Sequence, residues 1–331
     1  MRVLVPWGKG FGDPMRPPSP VASTIYAIGN TPVVQLQRIV PPDSAAVFVK
    51  IEGFNPTGSY KDRMALAMIE EAEKRGALTP DLTVIEYTGG STGSSLAFVC
   101  AAKGYRFHAV SSDAFAAAKL NTMRAFGADL TIVHSPNGKI SAELIPEMMS
   151  VAKTIAAQGG YFATDQFNNR DSLIGYAGIG HELLSQFPEG IDAFCGAIGT
   201  AGMLMGVAAV LTEHTHDTRI VALEPASAPI LTEGRSGEHH VEGIGVGFIP
   251  PLLDSELYDD ARAIDEDIAR TTCHQLAEQE GLLVGTSSGV NIAAALELAR
   301  ELGPGKVVVT VACDTGLKYL NEDLYARPAG S

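Results

Sequence analysis

The sequence predicts an α/β fold in which mostly parallel β-sheets carry helices on both faces. From about residue 45 onward, apolar strand segments alternate with helical stretches. The strand segments are short, apolar and rich in β-branched residues, which is typical of parallel strands that are buried on both faces. Several helical stretches end in glycine, as the C-terminus of a helix commonly does, namely at Gly76, Gly104, Gly127 and Gly281.

The alternation predicts seven strands and eight helices in chain order. The predicted strands span 46–51, 83–87, 106–110, 129–133, 192–198, 219–224 and 307–311. The predicted helices span 60–75, 93–103, 115–126, 142–158, 173–186, 202–213, 266–280 and 288–302. Residues 1–20 are interpreted as an irregular arm. Residues 225–262 are rich in Gly, Pro, Ser and His, and a long irregular segment of this kind predicts an active-site wall.

Composition restricts the class of protein. The chain has 331 residues, enough for two α/β domains, and its net charge of −14 argues against a nucleic-acid or anionic-membrane partner. No apolar run approaches the length that spans a membrane. The cysteines show no paired spacing, which predicts free thiols in a reducing, cytoplasmic compartment and no metal site. These cysteines are Cys100, Cys195, Cys273 and Cys313.

A lysine just inside a predicted helix is the main candidate for catalysis. The turn-forming run 55–58 precedes it, and Ser59 and Asp62 read as a capping box with Ser59 as the N-cap. Lys61 then lies beside the positive end of the helix macrodipole, which disfavours its ammonium form. A neutral lysine amine can form a Schiff base, whereas a solvated surface lysine is the ordinary alternative.

Two glycine-rich loops each follow an apolar strand and open a helix. The first is Thr88–Gly93, and the second is Gly199–Gly202. Backbone N–H groups at a helix N-terminus bind anions, so the second loop is a candidate phosphate site. A tight turn without a ligand is one alternative. A dinucleotide-binding loop is another, but its Gly-x-Gly-x-x-Gly pattern and spaced acidic residue are missing.

These segments, in this order, resemble the fold-type II pyridoxal-phosphate enzymes, and most closely the cysteine synthase family. The likeness continues in Ile28–Pro32, Gly243–Pro250, Glu280–Gly289 and Asp314–Gly316, so it covers the chain from about residue 24 to about residue 319. The resemblance implies two open, twisted, mostly parallel α/β domains, similar to tryptophan synthase β, with pyridoxal 5′-phosphate in the cleft between them. It implies a smaller mobile domain of residues 54–160 and a larger cofactor-binding domain of residues 1–53 plus 161–331.

The resemblance also implies a role for each candidate site residue. Lys61 would form the Schiff base and then serve as the general base. The loop Gly199-Thr200-Ala201-Gly202-Met203 would hold the cofactor phosphate, and Ser91 would contact the ring hydroxyl. Ser287 would donate to the pyridine nitrogen, although Ser287 or Ser288 could instead be a helix N-cap. The substrate, chiefly its carboxylate, would be bound by Thr88, Gly89, Gly90, Thr92, Gln166 and Gly245.

The chain departs from the family pattern at four of these positions. Gly89 and Ser91 stand where the family usually has serine and asparagine. Ala201 stands where it has glycine, and Met203 where it has a small hydroxyl residue. The first two changes bear on the substrate rather than on the cofactor. Three further polar residues are expected to be solvated loop residues, namely Arg235, His239 and His240.

The reaction that the resemblance implies is β-replacement. An O-activated L-serine would lose its β-substituent through an α-aminoacrylate, and a small nucleophile such as sulfide would add, giving L-cysteine or a related β-substituted alanine. A serine or threonine dehydratase-like lyase on the same scaffold is the alternative, and a non-catalytic regulatory protein is a third possibility. The expected partners are the amino-acid substrate, the nucleophile and a second copy of the chain in a homodimer.

Overall fold

The computed structural model describes residues 20–135, 143–214 and 217–326, and these contain two β-sheets. The irregular arm predicted for residues 1–20 lies outside these ranges except for its last residue. Strand order in the larger sheet is β1(Val33–Gln35), β2(Ala46–Ile51), β10(Val307–Ala312), β7(Ala193–Ala197), β8(Arg219–Pro225), β9(Asp260–Ile264). Strand order in the smaller sheet is β5(Asp129–Val133), β4(Arg106–Ser112), β3(Thr83–Tyr87), β6(Tyr161–Ala163). All neighbouring strands are parallel except β1 and β2, which confirms the predicted fold class.

The helices follow the strands as the alternation predicted. They are α1(Lys61–Lys74), α2(Ser91–Lys103), α3(Ala117–Ala125), α4(Leu144–Ala156), α5(Asp171–Gln186), α6(Gly202–His214), α7(Glu266–Gln275) and α8(Thr286–Leu302). The helix predicted over 266–280 changes to π-helical geometry over Leu276–Glu280 and ends at Gly281, which is left-handed. Short 3₁₀ turns cover Thr24–Ala27, Glu52–Phe54, Gly316–Tyr319 and Asp323–Tyr325.

Three strands escaped the sequence prediction because they are short and lie beside only one neighbour. They are β1, β6 and β9, each of three to five residues at a sheet edge. The strand β9 carries Asp260 and Arg262, so it lacks the apolar run of a buried strand. Between β8 and β9, residues 226–259 form no helix or strand, as the irregular segment predicted.

Both faces of the larger sheet are covered, and alternate residues of one strand show this. On β10, Val309 and Val311 pack in the apolar cluster that contains α5 and α6. Val308 and Ala312, which point to the other face, pack in the cluster that contains α7 and α8. With both faces covered by helices, the loops after the strands lie at the edge formed by the carboxyl ends of the strands, where α/β proteins place their ligand-binding sites.

A buried network of charges joins α1 to the larger sheet. The Arg63 guanidinium donates to both oxygens of Glu52 at 2.7 and 2.9 Å, and to both oxygens of Glu182 at 2.7 and 2.9 Å. The Lys50 ammonium also binds Glu182, at 2.6 Å. Because Arg63 lies two residues after Lys61, this network fixes the helix that carries the candidate catalytic amine.

The described ranges show no helix that is long and apolar enough to cross a membrane. Within the same ranges, no group of three or more His, Cys, Asp or Glu is arranged to hold a metal ion. All four cysteines are buried and unpaired.

Candidate active site

Lys61 is the first residue of α1 and is buried, with 6% of its surface exposed. Two backbone hydrogen bonds hold the preceding turn against the chain that follows β10. Tyr60 N–H donates to Cys313 O at 2.9 Å, and Thr315 N–H donates to Gly58 O at 2.9 Å. Across the described part of the chain, Lys61 Nζ has no hydrogen-bond or ion-pair partner, and it lies 5.0 Å from the centre of the Tyr60 ring. The fold thus presents a buried amine that no protein group neutralises.

The acidity of this amine follows from its burial. Burial lowers the pKa of Lys61 to about 8, and the charge of Asp314 opposes that change. The adjacent Cys313 thiol adds no charge at neutral pH, because burial raises its pKa to about 12. The lowered pKa has the direction that the sequence predicted, with burial as its main cause. About a tenth of the Lys61 amine is therefore neutral at pH 7.

The capping box predicted for Ser59 and Asp62 is wrong in its hydrogen bonds. Asp62 accepts instead from Thr57, from its N–H at 2.8 Å and from its hydroxyl at 2.6 Å. Ser59 Oγ accepts from Lys61 N–H at 3.3 Å, and Tyr60 stands as the residue before the helix. The tight turn over residues 55–60 brings the Thr57 donors to Asp62, so the carboxylate holds the turn rather than the cap.

The second glycine-rich loop joins β7 to α6, which begins at Gly202. A Cβ on Gly199 would come within 2.1 Å of Gly243 O, so this position has no room for a side chain. Thr200 Oγ1 accepts from Gly202 N–H at 3.4 Å. The Met203 side chain packs toward Gly196 in the core, so at this position the loop offers its backbone alone.

We expect Ala201→Gly to stabilise the protein by up to about 1 kcal/mol. Ala201 has φ of 65°, in the left-handed region, where a Cβ costs roughly 1–2 kcal/mol. The greater freedom of glycine in the unfolded chain offsets part of this gain. Urea unfolding measures the difference. Ala208→Gly, in the middle of α6, is the control and should destabilise by about 1 kcal/mol. If Ala201→Gly and Ala208→Gly lower the free energy of unfolding equally, the backbone at Ala201 is not strained.

The start of α8 approaches the segment after β10. Neither Ser287 nor Ser288 caps the helix, because Gly285 holds the N-cap position and Ser288 Oγ accepts from Cys313 N–H at 2.9 Å. Ser287, the residue directly before Ser288, is buried, and its side chain hydrogen-bonds Cys313. Asp314 Oδ2 accepts from the Tyr319 hydroxyl at 2.8 Å, whereas Asp314 Oδ1 is buried with no hydrogen-bond partner among the described residues.

The first glycine-rich loop leads from β3 into α2. Thr88 Oγ1 accepts from Gly90 N–H at 3.1 Å and from Gly93 N–H at 3.2 Å, so this hydroxyl shapes the loop itself. A Cβ on Gly89 would come within 2.7 Å of the Phe115 ring. Serine, the usual family residue, would meet that ring here. Ser91 is the first residue of α2 and is half-buried.

Gln166 lies against this loop. Its Oε1 accepts from the Thr92 hydroxyl at 2.8 Å, and its Nε2 donates to Tyr87 O at 3.0 Å. Glu86, which the sequence analysis missed, accepts from Gln166 N–H at 3.0 Å, and burial raises the pKa of Glu86 to about 7. A glutamate inside the apolar strand Thr83–Tyr87 was the available signal.

The irregular segment before Pro250 lies beside the Gly199 loop. Gly245 N–H donates to Ile198 O at 3.1 Å, and the His239 ring bonds Gly245 O at 2.8 Å. The His239 Nδ1 accepts from Val241 N–H at 3.2 Å, so Nε2 is the donor to Gly245. The expectation that His239 is a solvated loop residue is therefore wrong, because its ring shapes this wall.

Lys119 of α3 is a second buried lysine near the site, and the sequence analysis missed it. A Cβ on Gly90 would come within 2.4 Å of Lys119 Cδ, so the lysine stem covers the first loop. The Lys119 ammonium pairs with Glu242 and lies 4.8 Å from the centre of the Tyr319 ring. The pair joins positions far apart in the chain, and a single sequence carries no signal of it.

Comparisons with known proteins agree with this arrangement. A family model described as pyridoxal-phosphate dependent enzyme matches residues 24–314. The cysteine synthase of Staphylococcus aureus is 42% identical over 310 residues, which are 93% of this chain and 98% of that protein. The crystal structure of an O-ureido-L-serine synthase is 36% identical with a TM-score of 0.86, covering 94% of this chain and 97% of that one. A cysteine synthase structure from Entamoeba histolytica is 29% identical with a TM-score of 0.89, covering 98% and 96%.

The resemblance seen in the motifs is thus confirmed over almost the whole chain. The family model spans most of the sequence, and the bacterial relative aligns along nearly its full length. The two parallel sheets and the buried lysine at the start of α1 agree with that assignment. The chain belongs to the pyridoxal-phosphate dependent enzymes of fold type II.

Proposed function

We propose that this protein catalyses β-replacement on an O-activated L-serine, with a small nucleophile such as sulfide giving L-cysteine or a related β-substituted alanine. The observation that carries the proposal is the buried, unpartnered Lys61 amine, with its pKa of about 8, at the start of α1. The similarity to proteins named cysteine synthase and O-ureido-L-serine synthase supports the reaction class.

The residues around Lys61 fit pyridoxal 5′-phosphate. The loop 199–203 presents backbone N–H groups at the N-terminus of α6, which suits a phosphate. Asp314 Oδ1 is buried and has no hydrogen-bond partner among the described residues, and Lys61 is a buried residue whose amine also has none there, so a polar ligand can satisfy both groups. When bound, the cofactor supplies an electron-withdrawing ring that acidifies the substrate Cα–H. In this proposal Lys61 holds the cofactor, the loop 199–203 holds its phosphate, and Ser91 and Ser287 contact its ring.

Lys61 then moves the proton. An amine with a pKa near 8 accepts the Cα proton close to neutral pH and returns it afterwards, as general acid–base catalysis requires. As the proton reaches Nζ, which the substrate amine would first have displaced from the cofactor, the electron pair left on Cα would form a second, π bond between Cα and Cβ, and the β-oxygen would leave with its bonding pair. The nucleophile next adds at Cβ, and Lys61 Nζ gives the proton back to Cα.

The first loop is proposed to hold the substrate carboxylate. Backbone N–H groups at the start of α2 favour an anion. Gly89 and Gly90 have no side chains of their own, and Phe115 and Lys119 pack against them. The Thr92–Gln166 hydrogen bond orders the loop from the side, and Glu86 fixes Gln166. Gly245 contributes the opposite wall through its bond to Ile198 O.

We further propose that residues 54–160 form the mobile domain and that the rest of the chain forms the larger one. The separate four-stranded sheet supports this division. Closure would exclude water from the reacting Cβ. A cytoplasmic location is proposed, and the four buried unpaired cysteines support it. A homodimer is also proposed, and the family likeness supports it.

The test is a product assay on the holoenzyme. O-acetyl-L-serine with sulfide should yield L-cysteine, and omission of sulfide should stop its formation. L-serine and L-threonine without a nucleophile should yield no pyruvate or 2-oxobutyrate. Rapid release of those oxo acids would establish the lyase instead. A colourless protein that cannot be loaded with the cofactor would favour the regulatory protein.

A further inference from the structure

The Lys119–Glu242 ion pair spans the gap between the two glycine-rich loops. On one side, the Lys119 stem lies on Gly90 of the first loop. On the other side, Glu242 directly precedes Gly243, whose carbonyl oxygen lies against Gly199 of the second loop. If the first loop binds the substrate carboxylate and the second binds the cofactor phosphate, the β-substituent of the donor lies in the space between them.

The pair is well shielded from water. Lys119 is 4% exposed as a side chain and Glu242 is 28% exposed. Charges in such a setting interact more strongly than on an open surface. Lys119 is paired with Glu242. Asp314 and Glu322 add negative charge nearby, and Lys318 adds positive charge. A second anion entering here therefore meets a lysine that already has its counter-charge.

We propose that the Lys119–Glu242 pair determines the donor by charge, favouring an uncharged O-acyl leaving group and discriminating against an O-phosphoryl one. An acetyl ester adds no charge between the loops and leaves the pair intact. A phosphate dianion must approach the Glu242 carboxylate and compete with it for Lys119. Like charges placed together are an effective means of rejecting a wrong ligand. This inference rests on the proposed function, because it names which O-activated serine the site accepts.

Glu242→Gln in the holoenzyme tests the proposal, because it removes the competing charge with little change in shape. We expect its kcat/KM for O-phospho-L-serine to rise about 10- to 100-fold relative to that for O-acetyl-L-serine. Inorganic phosphate should also bind more tightly to Glu242→Gln by a similar factor, as measured by calorimetry. Adding Lys119→Gln to this variant should remove both gains, since the cation that binds the phosphate is lost.

Glu238→Gln is the matched control. It removes the same charge from the same irregular segment, but Glu238 is exposed, so both ratios should stay within about twofold of the wild type. The proposal is overturned if Glu242→Gln behaves like this control in both assays. If the wild type turns over no O-activated serine, the proposed function fails. The calorimetric comparison, which needs no turnover, still decides whether Glu242 blocks phosphate at Lys119.

Discussion

Lys61→Ala is expected to abolish L-cysteine formation, with a loss of at least about 10³-fold. The amine serves two purposes in the proposed reaction, since it holds the cofactor and moves the Cα proton, and general acid–base catalysis alone contributes about 10²–10⁴-fold. Activity with O-acetyl-L-serine and sulfide measures the loss. Borohydride reduction followed by mass spectrometry should detect the cofactor attached to Lys61 in the wild type and no attachment in the variant.

The fold should survive this substitution, which makes the test specific. Lys61 Nζ has no hydrogen-bond partner within the described residues, so alanine breaks no hydrogen bond and relieves the burial of an amine, at the loss of the contact with the Tyr60 ring. The free energy of unfolding in urea should therefore be unchanged or higher. Lys74→Ala is the control from the other end of α1, where the side chain is 66% exposed. It should keep full activity. A Lys61→Ala enzyme within tenfold of the wild type would refute the assignment of this lysine.

Most of the helices and strands could be predicted from the sequence because they depend on local residue patterns. Buried parallel strands such as β10 are continuous apolar runs, and Gly104 and Gly281 end their helices in the left-handed conformation. The position of Lys61 at the start of α1 also followed from the turn residues before it. Such signals lie within a few residues of the feature they specify.

Features that depend on distant contacts could not be predicted in the same way. Lys119 lies in an alanine-rich helix and reads as a surface residue, but the fold buries it against Gly90 and Glu242. Asp62 read as part of a capping box, and tertiary placement of Thr57 gave it other donors. Helix starts allow several hydrogen-bond patterns with one sequence, and the surrounding chain selects among them.

Arg63→Met is expected to destabilise the protein by about 3–5 kcal/mol. The substitution removes a guanidinium that makes paired hydrogen bonds to both Glu52 and Glu182, and it leaves Lys50 as the only close cation for two carboxylates in this described cluster. An uncompensated buried charge is the expensive outcome when one partner of such a pair is removed. Urea unfolding measures the loss. Arg75→Met, which breaks the exposed pair with Asp171, is the control and should cost less than about 1 kcal/mol.

Acid unfolding gives the same prediction a second readout. Burial alone would raise the pKa of Glu182, but the hydrogen bonds and charge of Arg63, together with hydrogen bonds from Lys50 and the Asn30 backbone, outweigh burial and hold the pKa at about 2. Since the folded pKa lies below the usual 4.5, the network stabilises the wild type above pH 4.5 and loses this contribution as the pH falls toward 2. Without Arg63, the pKa of Glu182 should rise toward its usual value. The free energy of unfolding of the Arg63→Met variant should therefore fall less than that of the wild type between pH 4.5 and pH 2. A wild type and an Arg63→Met variant with parallel stability curves between pH 5 and pH 2 would show that Arg63 does not hold Glu182 ionised.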